Sequence, residues 1–147
     1  MLILIDTNIL VYASDPTDPY RQELAANILT HLGLTLSGRI SVQSLAEFFN
    51  VTTSSKKQLY TRGEAYEQVE RLMQTFPIFD LTSMIALEAA RGCRDYYLAY
   101  FDAQIWATAR LNQVPVIFSE DFNSNATLEG VRFVNPFATD FVLENWG

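Results

Sequence analysis

The chain has a single cysteine, Cys93, and a single histidine, His31, among its 147 residues. One thiol closes no internal disulfide, which fits a reducing compartment and excludes every cysteine-cluster metal site. A lone histidine inside a helical pattern reads as an ordinary helix residue, so serine–histidine hydrolysis and histidine-held zinc are poorly served. Long apolar runs are lacking too. None approaches the roughly 20 residues that span a bilayer, and the opening M-L-I-L-I has no basic flank or cleavage site. Repeats, low-complexity tracts and Gly/Ser linkers are absent, so residues 1–147 are expected to form one domain of a soluble, cytoplasmic protein.

Positive charge is also scarce. Lys and Arg number 10 against 17 Asp and Glu, a formal net charge of −7. Nucleic-acid binders are more often basic, so a polyanionic partner would need something to offset the repulsion. What the chain has in quantity is apolar surface: 49% hydrophobic and 13% aromatic residues supply a sizeable core and exclude disorder.

Leu2 to Ile5 is a short, continuous apolar run, the pattern of a strand buried on both faces. Thr7-Asn8 opens a helix through about Ser14, broken by D-P-T-D-P. From about Asp18 to Leu32, the stripe Leu24, Ile28, Leu32 predicts an amphipathic helix closed by Gly33. Leu34 to Leu36 is a candidate second strand. Ser41 to about Thr53 and Thr61 to about Phe76 predict two more helices, the second opened by Thr61 and Glu64 as a capping box. A third strand is expected over Pro77 to Leu81 and helices over Thr82 to Tyr96 and Phe101 to Asn112. Strands close the pattern at Val114 to Ser119 and Val131 to Val134. Strands alternating with helices imply an α/β fold with a mainly parallel sheet covered on both faces. Ligands of such sheets bind beyond the carboxyl ends of the strands, where strand order reverses.

Carboxylates stand at those ends. Asp6 follows the first strand, and Asp121 follows the Val114 to Ser119 strand; each could equally be a helix cap or turn former. Asp102 heads the stripe Asp102, Ile105, Trp106, Ala109, one face of a helix, where a carboxylate needs a cation or the helix dipole as partner. Its nearest basic residues, Arg94 and Arg110, are each eight positions away. Glu47 falls opposite the face made by Leu45, Phe48, Phe49 and Thr52, so periodicity alone places it on the surface. Brought together, such acids repel by about 4 kcal/mol per pair at 4 Å and an effective dielectric of 20. Oxygen-only donors then select a hard divalent ion, Mg²⁺ or Mn²⁺.

Four blocks carry a resemblance across nearly the whole chain: I-D-T-N-I-L-V-Y at Ile5 to Tyr12, S-V-Q-S-L-A-E-F-F-N-V at Ser41 to Val51, Y-F-D-A-Q-I-W-A-T-A at Tyr100 to Ala109, and F-S-E-D-F with E-G-V-R-F-V-N-P-F ending at Phe137. In that order they resemble PIN-domain ribonucleases, in particular the VapC toxins of toxin–antitoxin pairs. The resemblance implies a three-layer α/β/α Rossmann-like sandwich with about five mainly parallel strands, often dimeric. It implies an Mg²⁺- or Mn²⁺-dependent endoribonuclease with Asp6, Glu47, Asp102 and Asp121 as the four acidic positions, and so turns Glu47 inward. It also implies Thr7, Asn8 and Ser119 as supporting polar residues, a cognate antitoxin as partner, and 5′-phosphate and 3′-hydroxyl products. Glu120 is expected to point away from the metal. One departure is the segment Asn123-Ser124-Asn125-Ala126, where many relatives carry a His-Gly-Gln-like sequence.

Arg39, Lys56, Lys57 and Arg62 are candidate contacts to an RNA backbone, each with solvated charge as the plain alternative. The Ser41 helix and the Leu24/Ile28 stripe are candidate docking surfaces for the antitoxin, with core as their alternative. Competing functions are a divalent-ion-dependent RNA-binding module that does not cut, and an aspartate-based phosphatase or receiver domain. The phosphatase pattern wants a second acid where this chain has Asn8, and a receiver's paired early acids and late lysine are missing.

Overall fold

A computed structural model describes residues 1–147. Its centre is a six-stranded sheet in the order β3-β2-β1-β4-β6-β5. The strands are β1 (Ile3–Ile5), β2 (Gly38–Ser41), β3 (Ile78–Phe79), β4 (Val116–Phe118), β5 (Thr127–Leu128) and β6 (Val131–Val134). All pairings are parallel except β5 with β6, a short antiparallel hairpin at one edge. That hairpin is the sixth strand beyond the five or so expected, and at two residues β5 is too short to leave a pattern.

Six helices complete the fold: α1 (Thr7–Ser14), α2 (Pro19–Leu34), α3 (Val42–Thr52), α4 (Arg62–Thr75), α5 (Ser83–Tyr96) and α6 (Tyr100–Leu111). Alternation along the strands decides which helices cover which face. Ile3, Ile5, Val116 and Phe118 pack with Ile9, Leu10, Ile28 and Phe48 from α1 to α3, and Val69 and Leu72 of α4 lie against the same cluster. Leu4, Ile117 and Phe133 point the other way, onto Ile85, Ala89 and Trp106 of α5 and α6. The α/β/α layering therefore follows from strands that are apolar on both sides. No helix is long and apolar enough to cross a membrane.

Two expectations fail in one place. Helix α2 runs through Gly33 to Leu34, and Leu34 to Leu36 is not a strand. Leu34 and Leu36 are exposed, and Leu36 takes the left-handed conformation at φ 58°. Strand β2 starts at Gly38, where an added Cβ would lie 2.6 Å from the Phe76 ring. The chain needs a residue without a side chain to pass that ring, and apolar patterning is silent about such passages. The capping box forms as expected, with reciprocal bonds between Thr61 and Glu64.

From β1 the chain moves outward through β2 and β3, then returns to add β4 on the other side of β1. The order reverses between β1 and β4, whose last residues Ile5 and Phe118 are in register. The residues that follow, Asp6 and Ser119, therefore meet at the sheet's carboxyl rim.

Candidate active site

Asp6 is the N-cap of α1 and is 6% exposed. One carboxylate oxygen accepts the Thr7 N–H at 2.7 Å and the other accepts the Ser119 hydroxyl at 2.7 Å. Ser119 Oγ in turn accepts from the Asp121 N–H at 3.1 Å and from the Asn8 amide at 3.2 Å. One buried hydroxyl thus ties three of the expected site residues together. Thr7 donates its hydroxyl to Glu47 Oε2 at 2.7 Å, across 40 positions of sequence, and Gln43 donates to Oε1 at 2.8 Å. Glu47 is half-buried and faces α1. Its outward placement from helix periodicity is overturned: the core stripe of α3 is Ser44, Leu45, Phe48 and Thr52, and Glu47 borders it on the rim side.

Asp102 lies in the first turn of α6, whose N-cap, Ala99, contributes no side-chain cap. Its carboxylate caps nothing and is half-buried. Arg94 is turned to Asp95 and Arg110 to Glu88, so neither neutralises it. Burial raises the pKa of Asp102, and the charges of Asp121 and Glu47 raise it further. Asp6 behaves alike: burial is the chief cause of a rise to about 6, opposed by the bonds from Ser119 and Thr7 and reinforced by Asp121 and Glu47. Asp121 and Glu47 therefore act on both Asp6 and Asp102, and no basic side chain enters the balance.

A cavity of about 290 Å³ opens here, lined among others by Thr7, Asn8, Tyr12, Glu47, Lys57 and Asp121. A larger one, about 410 Å³ beneath the C-terminal segment, contains only one carboxylate, Asp140, and so offers no donor set. Of the four acids, Glu47 and Asp121 line it, while Asp6 and Asp102 lie outside its wall and reach it through their charge interactions with those two; all four are oxygen donors, which by chemistry suits a hard divalent cation. Their spacing is looser than a finished cage: no three Asp, Glu, His or Cys side chains converge to grip an ion.

Glu120 is committed to other partners, accepting from Tyr12 and from Arg21 at 2.9 Å. The basic candidates divide. Lys57 lines the cavity but is paired with Asp15 at 2.8 Å. Lys56 and Arg62 are exposed and form no ion pair. Arg39 is removed from the site: its guanidinium bonds the Leu36 and Gly38 carbonyls at the amino end of β2, opposite the rim. Of the docking surfaces expected on α2 and α3, Ile28 and Phe48 are taken up by the core, while Leu24 and Phe49 stay half-buried. His31 serves structure, bonded to the Trp146 carbonyl. Sequence reasoning missed Gln43 and Gln104, which extend the rim network by a 2.8 Å bond between their amides. The i, i+4 spacing of Gln43 and Glu47 was the available signal.

A sequence profile of the PIN domain matches residues 3–127. The chain belongs to the PIN domain family. No curated protein matches it. Among solved structures, this PIN domain is similar to VapC20 of Mycobacterium tuberculosis, described as a sarcin-ricin loop cleaving toxin, at a TM-score of 0.66 and 18% identity over 88% of this chain and 98% of that one. It is similar to a toxin–antitoxin complex from Klebsiella pneumoniae at 0.61 and 22% identity, covering 92% and 98%. A third is VapBC2 from Rickettsia felis bound to a promoter DNA fragment, at 0.64 and 17%, covering 90% and 97%. At these identities the likeness is one of fold. Family membership removes the phosphatase and receiver readings.

Proposed function

We propose that this PIN domain is a VapC-type endoribonuclease toxin that hydrolyses RNA with Mg²⁺ or Mn²⁺ held by Asp6, Glu47, Asp102 and Asp121. The observation that carries the reading is the shared electrostatic environment: Asp6 and Asp102, from different elements, are both raised, chiefly by burial and further by the charges of the same two neighbours, Asp121 and Glu47, while the one lysine on the cavity, Lys57, is paired with Asp15. A bound divalent ion would supply charge neutralisation at the phosphate and acidify a water. Thr7 and Ser119 hold Glu47 and Asp6 in fixed orientation, which is the positioning such chemistry needs. Asp102 has lone pairs uncommitted to any internal donor and is free to accept a hydrogen bond from the attacking water. Attack at phosphorus with loss of the 3′ oxygen leaves a 5′-phosphate and a 3′-hydroxyl.

The neighbours solved as toxin–antitoxin complexes support a cognate antitoxin as partner; a homodimer in the cytoplasm belongs to the same reading through the family resemblance alone. The open spacing of the acids favours a second reading, RNA binding without cutting. Antitoxin-free protein incubated with single-stranded and structured RNAs in Mg²⁺, Mn²⁺ or EDTA separates the two. Metal-dependent cleavage lost in Asp6→Asn and Asp102→Asn supports the nuclease; tight binding with intact RNA supports the module.

A further inference from the structure

The turn between α5 and α6 and the first two residues of α6 put aromatic rings in water that the chain's own core does not use. Tyr97 is 91% exposed and Phe101 64%, and Tyr100, at 39%, meets Phe101 edge-on with ring centroids 5.2 Å apart. Tyr97 is the C-cap of α5 in the left-handed conformation at φ 56°, a position that favours glycine. Its ring touches no core cluster, whereas the neighbouring Leu98 packs inward. The turn borders the carboxylate site directly. Asp102 is the next residue after Phe101, and Gln43 donates both to the Phe101 carbonyl and to Glu47.

Charge decides what such rings are for. The chain is at −7 overall, and the arginines beside this turn are spent: Arg91 on Glu88 and Glu129, Arg94 on Asp95. A polyanion approaching here finds few free cations to bind its phosphates. Base stacking on aromatic faces needs none, and it selects unpaired nucleotides because paired bases hide their faces. We infer that Tyr97, with Tyr100 and Phe101, is a stacking platform for unpaired bases of the RNA next to the scissile phosphate. The inference rests on the nuclease reading for its substrate.

The test uses a short unstructured oligoribonucleotide and the same sequence as a blunt duplex, with binding measured in Ca²⁺ and cleavage in Mn²⁺. Wild type, Tyr97→Gly and Tyr97→Phe are compared. Tyr97→Gly is expected to bind the single strand roughly tenfold more weakly. Its KM should rise with little change in kcat, and its Tm should not fall, because glycine suits the left-handed position. Tyr97→Phe should behave as wild type, and duplex binding should be weak throughout. Equal single-strand binding by wild type and Tyr97→Gly overturns the platform and leaves the nuclease standing; if Tyr97→Gly instead loses only antitoxin binding or self-association, the platform is overturned and the turn is a protein contact. Weakened binding by Tyr97→Gly in a protein that never cuts keeps the platform and sinks the nuclease. Failure of wild type to bind either RNA overturns both.

Discussion

Asp6 serves two neighbours at once, capping α1 through Thr7 and receiving the Ser119 hydroxyl across the β1–β4 switch point. The sequence allowed either a cap or a site residue; the structure shows the cap and places the same carboxylate at the rim, which leaves the proposed site role open to it. Ser119→Ala removes the only side-chain donor to this buried carboxylate. We expect a loss of about 1–3 kcal/mol in a denaturant titration, together with weaker divalent-ion binding. The raised pKa has its own consequence. Asp6 titrates near 3.8 when unfolded and at about 6 when folded, so the folded state binds the extra proton. This group therefore adds stability as pH falls from about 6 towards 4 and costs stability at neutral pH, by a few kcal/mol at most. Mg²⁺ should raise Tm clearly at neutral pH and hardly at all near pH 4, as differential scanning fluorimetry would show. Asp102→Asn should melt higher than wild type in EDTA at neutral pH; a lower Tm would mean that Asp102 is structural.

At the scale of elements, the informative failure is Glu47. Helix periodicity sees only burial within α3, and the hydroxyl that turns Glu47 inward comes from Thr7 on a different helix. The family blocks indicated its direction; the local pattern did not. Lys57, in the loop after α3, is tied instead to Asp15 at the end of α1. Asp15 is lowered to about 2, chiefly by the Lys57 bond and next by Thr17. Its stabilisation is complete above about pH 4 and lost as pH falls towards 2. Lys57→Met should cost roughly 1 kcal/mol at neutral pH, modest because the lysine is exposed, and progressively less as pH falls through about 2. Helices α5 and α6 present Asp102 through close packing: a Cβ on Gly92 would lie 2.8 Å from the buried Trp106 ring. Gly92→Ala should therefore destabilise by about 1–3 kcal/mol despite its better helix propensity, and a urea titration would register it.

At the scale of the whole molecule, the alternation of apolar runs with helical stripes made the layered α/β architecture legible before any contact was known. Strand order was not, because nothing in Leu2 to Ile5 or Val114 to Ser119 says that they pair; that register puts Asp6 beside Ser119. The edge hairpin and Gly38's passage by Phe76 depend on single contacts that patterning does not record. The central claim, that four segments together form one cation site, is most directly tested by calorimetric titration of Mn²⁺ into the metal-free protein. The account predicts binding in wild type that weakens roughly tenfold or more in each of Asp6→Asn, Asp102→Asn and Asp121→Asn. No binding by wild type, or unchanged affinity in all three variants, would contradict it.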